Sequence, residues 1–443
     1  LTFLPDPIVA IKLAGVLLTA ALLLLYRAAL ARLKVKAPML WAALFLIASG
    51  DVLFRMIMTR PHVLSLALAM LFWSLLIEGS GFIALAVVAA IGAWIHLSLA
   101  WLFVAVAGAV SVVRLFSRAP IEWRKLCAGL VGLAVGALAR PHPIGALKLA
   151  YVQIVQFAIE KFNQVPLRFG HELKPLGFEA FSANMVPALL LVLPALAFFC
   201  WLLWRKRLRD LRLESRHALW SSMLIAIVFL TLAVTSASRS EEVSLAFFIA
   251  FTAVAATELW RLPDAGAPKI FLKAYRPYLA LGFAILALAV LLGSINRSGI
   301  YVANAQRPDK FSEVSYWLAS NAPARAIVFN VQWDHFPELF FFNPANYYVS
   351  GMDPIFEFAY DERLYWANHF LATDQAAELT CPMIRCTQEQ TIRTYDVLKN
   401  EFKASYVFLE LRRNPRLFMY FLGDAAHFTP AFNNGREAVF AIN

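Results

Sequence analysis

Long apolar runs alternate with short polar breaks along most of the chain, and the alternation stops abruptly near residue 296. A bilayer needs roughly 17–25 apolar residues per helix, fewer where helices break or tilt, and by that measure there are about ten runs. They cover residues 8–26, 39–58, 63–77, 82–113, 126–138, 185–204, 218–234, 243–256 and 278–292. The run 82–113 is too long for one helix and has no basic break, so it divides near His96 into two short spans. The pattern predicts a polytopic α-helical membrane protein of about ten transmembrane helices.

Charge fixes the direction of each span. Arg27, Arg32, Lys34 and Lys36, then Arg114, Arg118, Arg124 and Lys125, then Arg205, Lys206, Arg207, Arg209, Arg212 and Arg216, then Arg261, Lys269, Lys273 and Arg276 fall at alternate breaks. Such loops face the cytoplasm. The other breaks then face outward: Arg60-Pro61-His62, His96, Arg140-Pro141-His142-Pro143, the segment 145–184, and the tip around Arg239, Glu241 and Glu242. Within 145–184, Leu149, Val152, Val155, Phe157 and Ile159 form an amphipathic stretch suited to the interface plane. Gly129, Gly132 and Gly136 space a small-residue stripe that admits close helix approach.

Composition agrees: 60% of the 443 residues are hydrophobic and 16% charged, with mean hydropathy +0.64. The net charge of +11 would suit nucleic acid, but the basic residues lie in short segments between apolar runs, so no nucleic-acid partner is expected. Leu1 is not an initiator Met, and a preceding piece is expected.

From Asn296 onward Pro, Asn and charged residues become frequent. The division expected is a transmembrane helical domain, 1–295, and a small C-terminal extracytoplasmic α/β domain, 296–443. Its pattern predicts helices at 310–320, 361–371 and 389–402, strands at 326–330, 405–409, 428–432 and 438–442, and a hairpin at Asn434-Gly435. Cys381 and Cys386 are close enough in sequence for a small-loop disulfide in an oxidising compartment, or are two free thiols in a reducing one. Cys127 and Cys200 lie in apolar runs and read as buried, inert thiols.

No Walker loop, GxGxxG, HExxH or CxxC pair is present, which removes nucleotide hydrolysis, dinucleotide redox chemistry and structural zinc. What stands out is the outward collection of Asp51, Arg55, Arg60, His62, His96, Arg140, His142, Arg168, His171, Glu172, Arg239, Glu241 and Glu242. Arginine forks and imidazoles at a membrane boundary suit a lipid-borne phosphate. Each residue also has a plainer reading: Arg60 as a snorkelling anchor, Asp51 and Arg55 as an i, i+4 pair, His96 as a core histidine bonded across helices. A long aromatic loop, residues 329–358, sets Trp333, Phe336, Phe340 to Phe342, Tyr347 and Tyr348 among Asp334, Glu338 and Asp353, as either a sugar platform or the domain's core and bilayer contact.

The tips TRPHVLS, WIHLSLAW, RPHPIGALKLAY and SASRSEEVS, followed by a C-terminal domain ending PAFNNGREAVFAIN, resemble in order and sidedness the GT-C superfamily of membrane glycosyltransferases. The resemblance implies inverting transfer of a sugar from a polyprenyl-phosphate carrier to a glycan, lipid or protein acceptor on the non-cytoplasmic face. A carboxylate activates the acceptor hydroxyl and the carrier phosphate leaves. In that family the carboxylate sits in the first large outer loop, upstream of these spans; Asp6 is the nearest one here. Arg60, His62, His96, His142 and Arg239 are the expected substrate-binding residues. The residues demand no cofactor and leave a divalent cation open. The place expected is a bacterial inner membrane, with the C-terminal domain periplasmic. A transporter or flippase of lipid-linked sugars and a non-catalytic membrane scaffold are the alternatives; the first is disfavoured by polar groups crowding one face.

Overall fold

The structure is a computed structural model that describes residues 6–79, 81–168, 170–262, 267–305, 307, 309–351 and 353–443, the side chains of His171 and of several residues before Leu281 excepted. It divides into two compact units, one of Leu1–Tyr151 with His171–Asn304, the other of Val152–Gly170 with Ala305–Asn443.

The first unit is helical. Its elements are α1 (Pro7–Arg32), α2 (Pro38–Ile47), α3 (Gly50–Met56), α4 (His62–Glu78), α5 (Phe82–Ile95), α6 (Ala100–Phe116), α7 (Trp123–Leu138), α8 (Pro143–Tyr151), and, after α9 (Phe157–Phe162) of the other unit, α10 (Phe178–Trp204), α11 (Leu213–Thr235), α12 (Ser240–Arg261) and α13 (Ala267–Ala303). Every apolar run falls on a helix. Among the described residues six helices are long and apolar enough to cross a membrane, or eight if each sharply bent pair is one span, and α4 and α5 are shorter apolar helices. The chain is an integral, multi-pass membrane protein. α2 and α3 meet at 103°, a broken span.

α12 is the buried centre. Phe247 and Phe251 are fully enclosed, Trp73 stacks edge-on against Phe247, and Tyr26 donates to the Ala246 carbonyl at 2.6 Å. At the basic end, Arg212 and Arg261 bond the buried Glu258 at 3.1 and 2.8 Å, while Arg114 and Lys125 pair with Glu122. The backbone through Lys269, Lys273 and Arg276 is the start of α13 instead of a loop; these side chains lie outside the described residues. Cys127 and Cys200 are exposed, not buried, because each lies on the outward face of its helix.

The second unit carries α14 (Ser312–Asn321), β1 (Ile327–Asn330), α15 (Phe336–Phe342), β2 (Tyr347–Tyr348), α16 (Pro354–Tyr360), α17 (Glu362–Ala372), β3 (Leu379–Thr380), β4 (Ile392–Arg393), α18 (Thr394–Asp396), β5 (Tyr406–Glu410), α19 (Pro415–Gly423), β6 (Phe428–Asn433) and β7 (Glu437–Ile442). The sheet order is β2-β1-β5-β7-β6, with β1 parallel to β2 and β5, and β7 antiparallel to β5 and β6. The β6–β7 turn places Gly435 at φ +81°, where a side chain would be strained.

Two expectations fail here. Residues 389–402 do not form one helix: Ile392 and Arg393 pair with Thr380 and Leu379, which pins the segment beside the Cys381–Cys386 disulfide. The aromatic segment is not a loop: Pro337 and Pro354 lie in the first turns of the short helices α15 and α16, and His335 is enclosed between Phe311 and Phe408. Burial pushes the Glu357 carboxyl of α16 up to about 8, against the hydrogen bonds Asn368 donates to it.

Two predictions follow from packing and burial. A Cβ on Gly132 or Gly136 would overlap the carbonyl oxygen of Ala86 or Ala90, backbone that no rotamer change can move. Gly136→Ala is expected to destabilise the unit by ~1–3 kcal/mol, seen as a lower melting temperature in detergent, whereas Gly108→Ala, with nothing within 4 Å, is silent; equal melting points would refute the close approach. A carboxyl raised in the folded state contributes stability that is full below its unfolded value near 4.5 and is lost as pH rises towards 8. The melting temperature of the second unit should therefore fall across that window, and Glu357→Gln should flatten the slope.

Candidate functional site

The break between α2 and α3 makes the site. Ser49 starts α3 by accepting from the Val52 amide, and its hydroxyl donates to the buried Glu241 at 2.8 Å. The tip beyond α3 is pinned to α1, with Thr59 donating to the Ile11 carbonyl at 2.9 Å and Thr19 to that of Met56 at 2.8 Å.

Asp51 and Arg55 do not pair with each other, although four residues apart on one helix. α3 is wedged between other helices, and each side chain finds a partner there. Asp51 accepts from Asn184 of α10 at 2.6 Å and from Tyr301 of α13, and Arg297 of α13 stands 3.6 Å away. Arg55 pairs with Glu242 of α12 and, at 3.2 Å, with Glu172. Arg60 donates to the same Glu172 oxygen at 2.7 Å.

One carboxylate therefore serves two guanidiniums. Burial alone would push the Glu172 carboxyl up; Arg55 and Arg60 outweigh it and hold the group below the usual carboxylate range. Arg239, at the start of α12, gives its backbone amide to the Glu172 carbonyl at 3.2 Å, and its half-buried guanidinium has no ion pair among the described residues. His62 Nε2 stands 3.5 Å from Glu242 Oε2, outside hydrogen-bond geometry, and His96 Nδ1 is buried without a hydrogen-bond partner among the described residues. The charges bearing on His96 are those of Arg239, His62 and Arg140. Arg140 itself donates to the Ala93 and Trp94 carbonyls at the end of α5.

Arg60, His62, His96 and Arg239 thus come together. His142 does not: it is exposed in a turn at φ +52° before α8. Asp6 caps α1, accepting from the Ile8 and Val9 amides, and is exposed. Arg168 belongs to the second unit, where it donates to Gln332 at 3.0 Å; the side chain of His171 lies outside the described residues. No group of three or more His, Cys, Asp or Glu side chains is placed to hold a metal ion among the described residues.

Arg297 and Tyr301 escape a sequence reading that ends the helix at residue 292. The signal was available: Ser294, Arg297, Ser298 and Tyr301 continue one helical face, and Ser294 and Ser298 donate to the carbonyls of Ile47 and Gly50 at 2.8 and 2.9 Å.

No protein-family model matches the chain, and no curated relative does. Solved structures do match. The crystal structure of ArnT from Cupriavidus metallidurans in the apo state superposes with a TM-score of 0.52 at 15% identity, over 97% of this chain and 83% of that one. The chain has the ArnT fold. A second ArnT structure from the same organism, bound to undecaprenyl phosphate, gives 0.50 at 16% identity with the same coverage. The likeness is one of fold, and the order of the tips agrees with it.

A carboxyl lowered in the folded state gives stability that is full above its unfolded value near 4.5 and is lost as pH falls through the folded one. The melting-temperature gap between wild type and Glu172→Gln should be constant at neutral pH and close below about pH 4.5. A gap that persists into stronger acid would mean that Glu172 is not held by the arginines.

Proposed function

We propose that the chain is a membrane glycosyltransferase that moves a sugar from a polyprenyl-phosphate carrier to an acceptor on the non-cytoplasmic face. The observation that carries this is the unequal pairing at the tip: Glu172 is shared by Arg55 and Arg60, while among the described residues Arg239 has no ion pair and His62 Nε2 and His96 Nδ1 have no hydrogen-bond partner. A fixed surplus of positive charge at a membrane boundary suits a phosphate whose ester bond is breaking, because it stabilises the charge that develops on the leaving oxygens. Arg60 and Arg239 offer planar forks and His62 and His96 further ring nitrogens. An ArnT structure with undecaprenyl phosphate bound supports a lipid-phosphate carrier on this fold. The acceptor is a glycan, lipid or protein hydroxyl. Asp6, engaged in capping α1, is not assigned as the base.

The membrane is a bacterial inner membrane and the second unit is periplasmic. The Cys381–Cys386 disulfide supports an oxidising compartment for that unit.

Arg239→Ala should lower sugar transfer from a polyprenyl-phosphate donor by about 10²–10³-fold, the usual effect of removing one donor to a developing oxyanion, at unchanged membrane yield. Arg239→Lys should retain part of the activity, since it keeps the charge and loses the fork. Full activity of Arg239→Ala would remove the phosphate grip.

A further inference from the structure

A cavity of about 200 Å³ opens at the α2–α3 break, between α10 and α13, and none of the tip cations except Arg297 lines it. Its polar lining is Ser49, Asn184, Ser294, Asn296 and Arg297. We infer that this cavity holds the sugar ring of the carrier-linked donor, an assignment that rests on the glycosyltransferase reading above.

Chemistry selects the occupant. Asn184 is 1% exposed; its amide nitrogen donates to Asp51, while its Oδ1 has no hydrogen-bond partner among the described residues. Ser49 and Ser294 each spend their proton within the protein, on Glu241 and on the Ile47 carbonyl, and so have only lone pairs left to offer. Arg297 stands 3.6 Å from Asp51 and is partly neutralised by it, and the exposed Asn296 adds an amide that both donates and accepts. Acceptor atoms in the lining with the Asp51 carboxylate behind them disfavour an anion, and an apolar chain would leave the buried Asn184 oxygen without a hydrogen bond. A neutral polyhydroxyl ring satisfies both requirements, because each hydroxyl donates and accepts. At ~30 Å³ per water the space equals about seven waters, the scale of one sugar ring.

Position agrees with chemistry. Ser49 bonds Glu241, and the next residue of α12, Glu242, pairs with Arg55, which shares Glu172 with Arg60, so the cavity wall is linked to the proposed phosphate grip through the start of α12. Gly293 lines the cavity from α13, and a Cβ there meets nothing within 4 Å. A larger side chain at this position therefore fills the space without displacing backbone.

The test is binding to purified, full-length protein in nanodiscs, read by native mass spectrometry. The probes are undecaprenyl phosphate alone and a panel of undecaprenyl-phosphate pentoses, hexoses and amino sugars. Wild type should bind at least one sugar-bearing member about tenfold more tightly than the bare carrier, a gain of the size a few hydrogen bonds give. Gly293→Leu and Asn184→Ala should each erase that gain while leaving affinity for the bare carrier unchanged; the melting temperature should hold in Gly293→Leu and fall in Asn184→Ala, which also loses the bond to Asp51. A gain that survives in Gly293→Leu, or no panel member exceeding the bare carrier, overturns the sugar pocket and leaves the phosphate grip standing. Failure of wild type to bind the bare carrier overturns the proposed function itself.

Discussion

The structure of the membrane unit turns on how ionised groups are kept at the tip of a broken span. A carboxylate or guanidinium moved into hydrocarbon costs several kcal/mol unless it is paired and hydrogen-bonded. Here the cost is offset by a chain of charges, Glu242 to Arg55 to Glu172 to Arg60, that ties α12, α3, the turn at Glu172 and the α3–α4 tip together. The 103° bend at Ser49 makes this possible, because it turns Asp51 and Arg55 sideways, towards α10, α13 and α12, instead of along a continuous helix. Without the bend α3 would not bring either residue to these partners, and only the i, i+4 contact within α3 would be left to them.

The same economy explains why the cluster suits an anion. The arginines cannot all be neutralised by the carboxylates present, since Asp51 faces α13 and Glu241 is capped by Ser49. What is left over, at Arg239 with the ring nitrogens of His62 and His96 beside it, is fixed in place by the helices that carry it. A preorganised surplus of this kind needs little rearrangement when charge appears on a leaving phosphate, which is where electrostatic stabilisation is most effective.

Much of this was legible in the sequence, and the parts that were not have physical reasons. Apolar runs of bilayer length and basic breaks at alternate ends give the spans, because hydrocarbon tolerates little else. The gathering of Arg60, His62, His96 and Arg239 followed from placing their loops at one end. The partners of Asp51 were not legible, since spacing shows which residues can pair along a helix but not which helix will come nearer. The break at residue 296 followed hydropathy and so missed that α13 runs to Ala303, its last turns polar because they bond α3. His142 looked equivalent to His62 as an outward Pro-flanked histidine; an isolated turn leaves it exposed, while His62 lies at the start of a buried helix. In the second unit, the strand pairing at Ile392 overrode a helical pattern, as long-range pairing does with short segments.

The central claim is that the cations left unpaired at the tip hold a lipid phosphate. An experimental structure of this protein with undecaprenyl phosphate bound tests it most directly. The account predicts phosphate oxygens within hydrogen-bond distance of the Arg239 and Arg60 guanidiniums, with a ring nitrogen of His62 or His96 beside them. Phosphate density elsewhere on the membrane unit, with Arg239 unengaged, would contradict it.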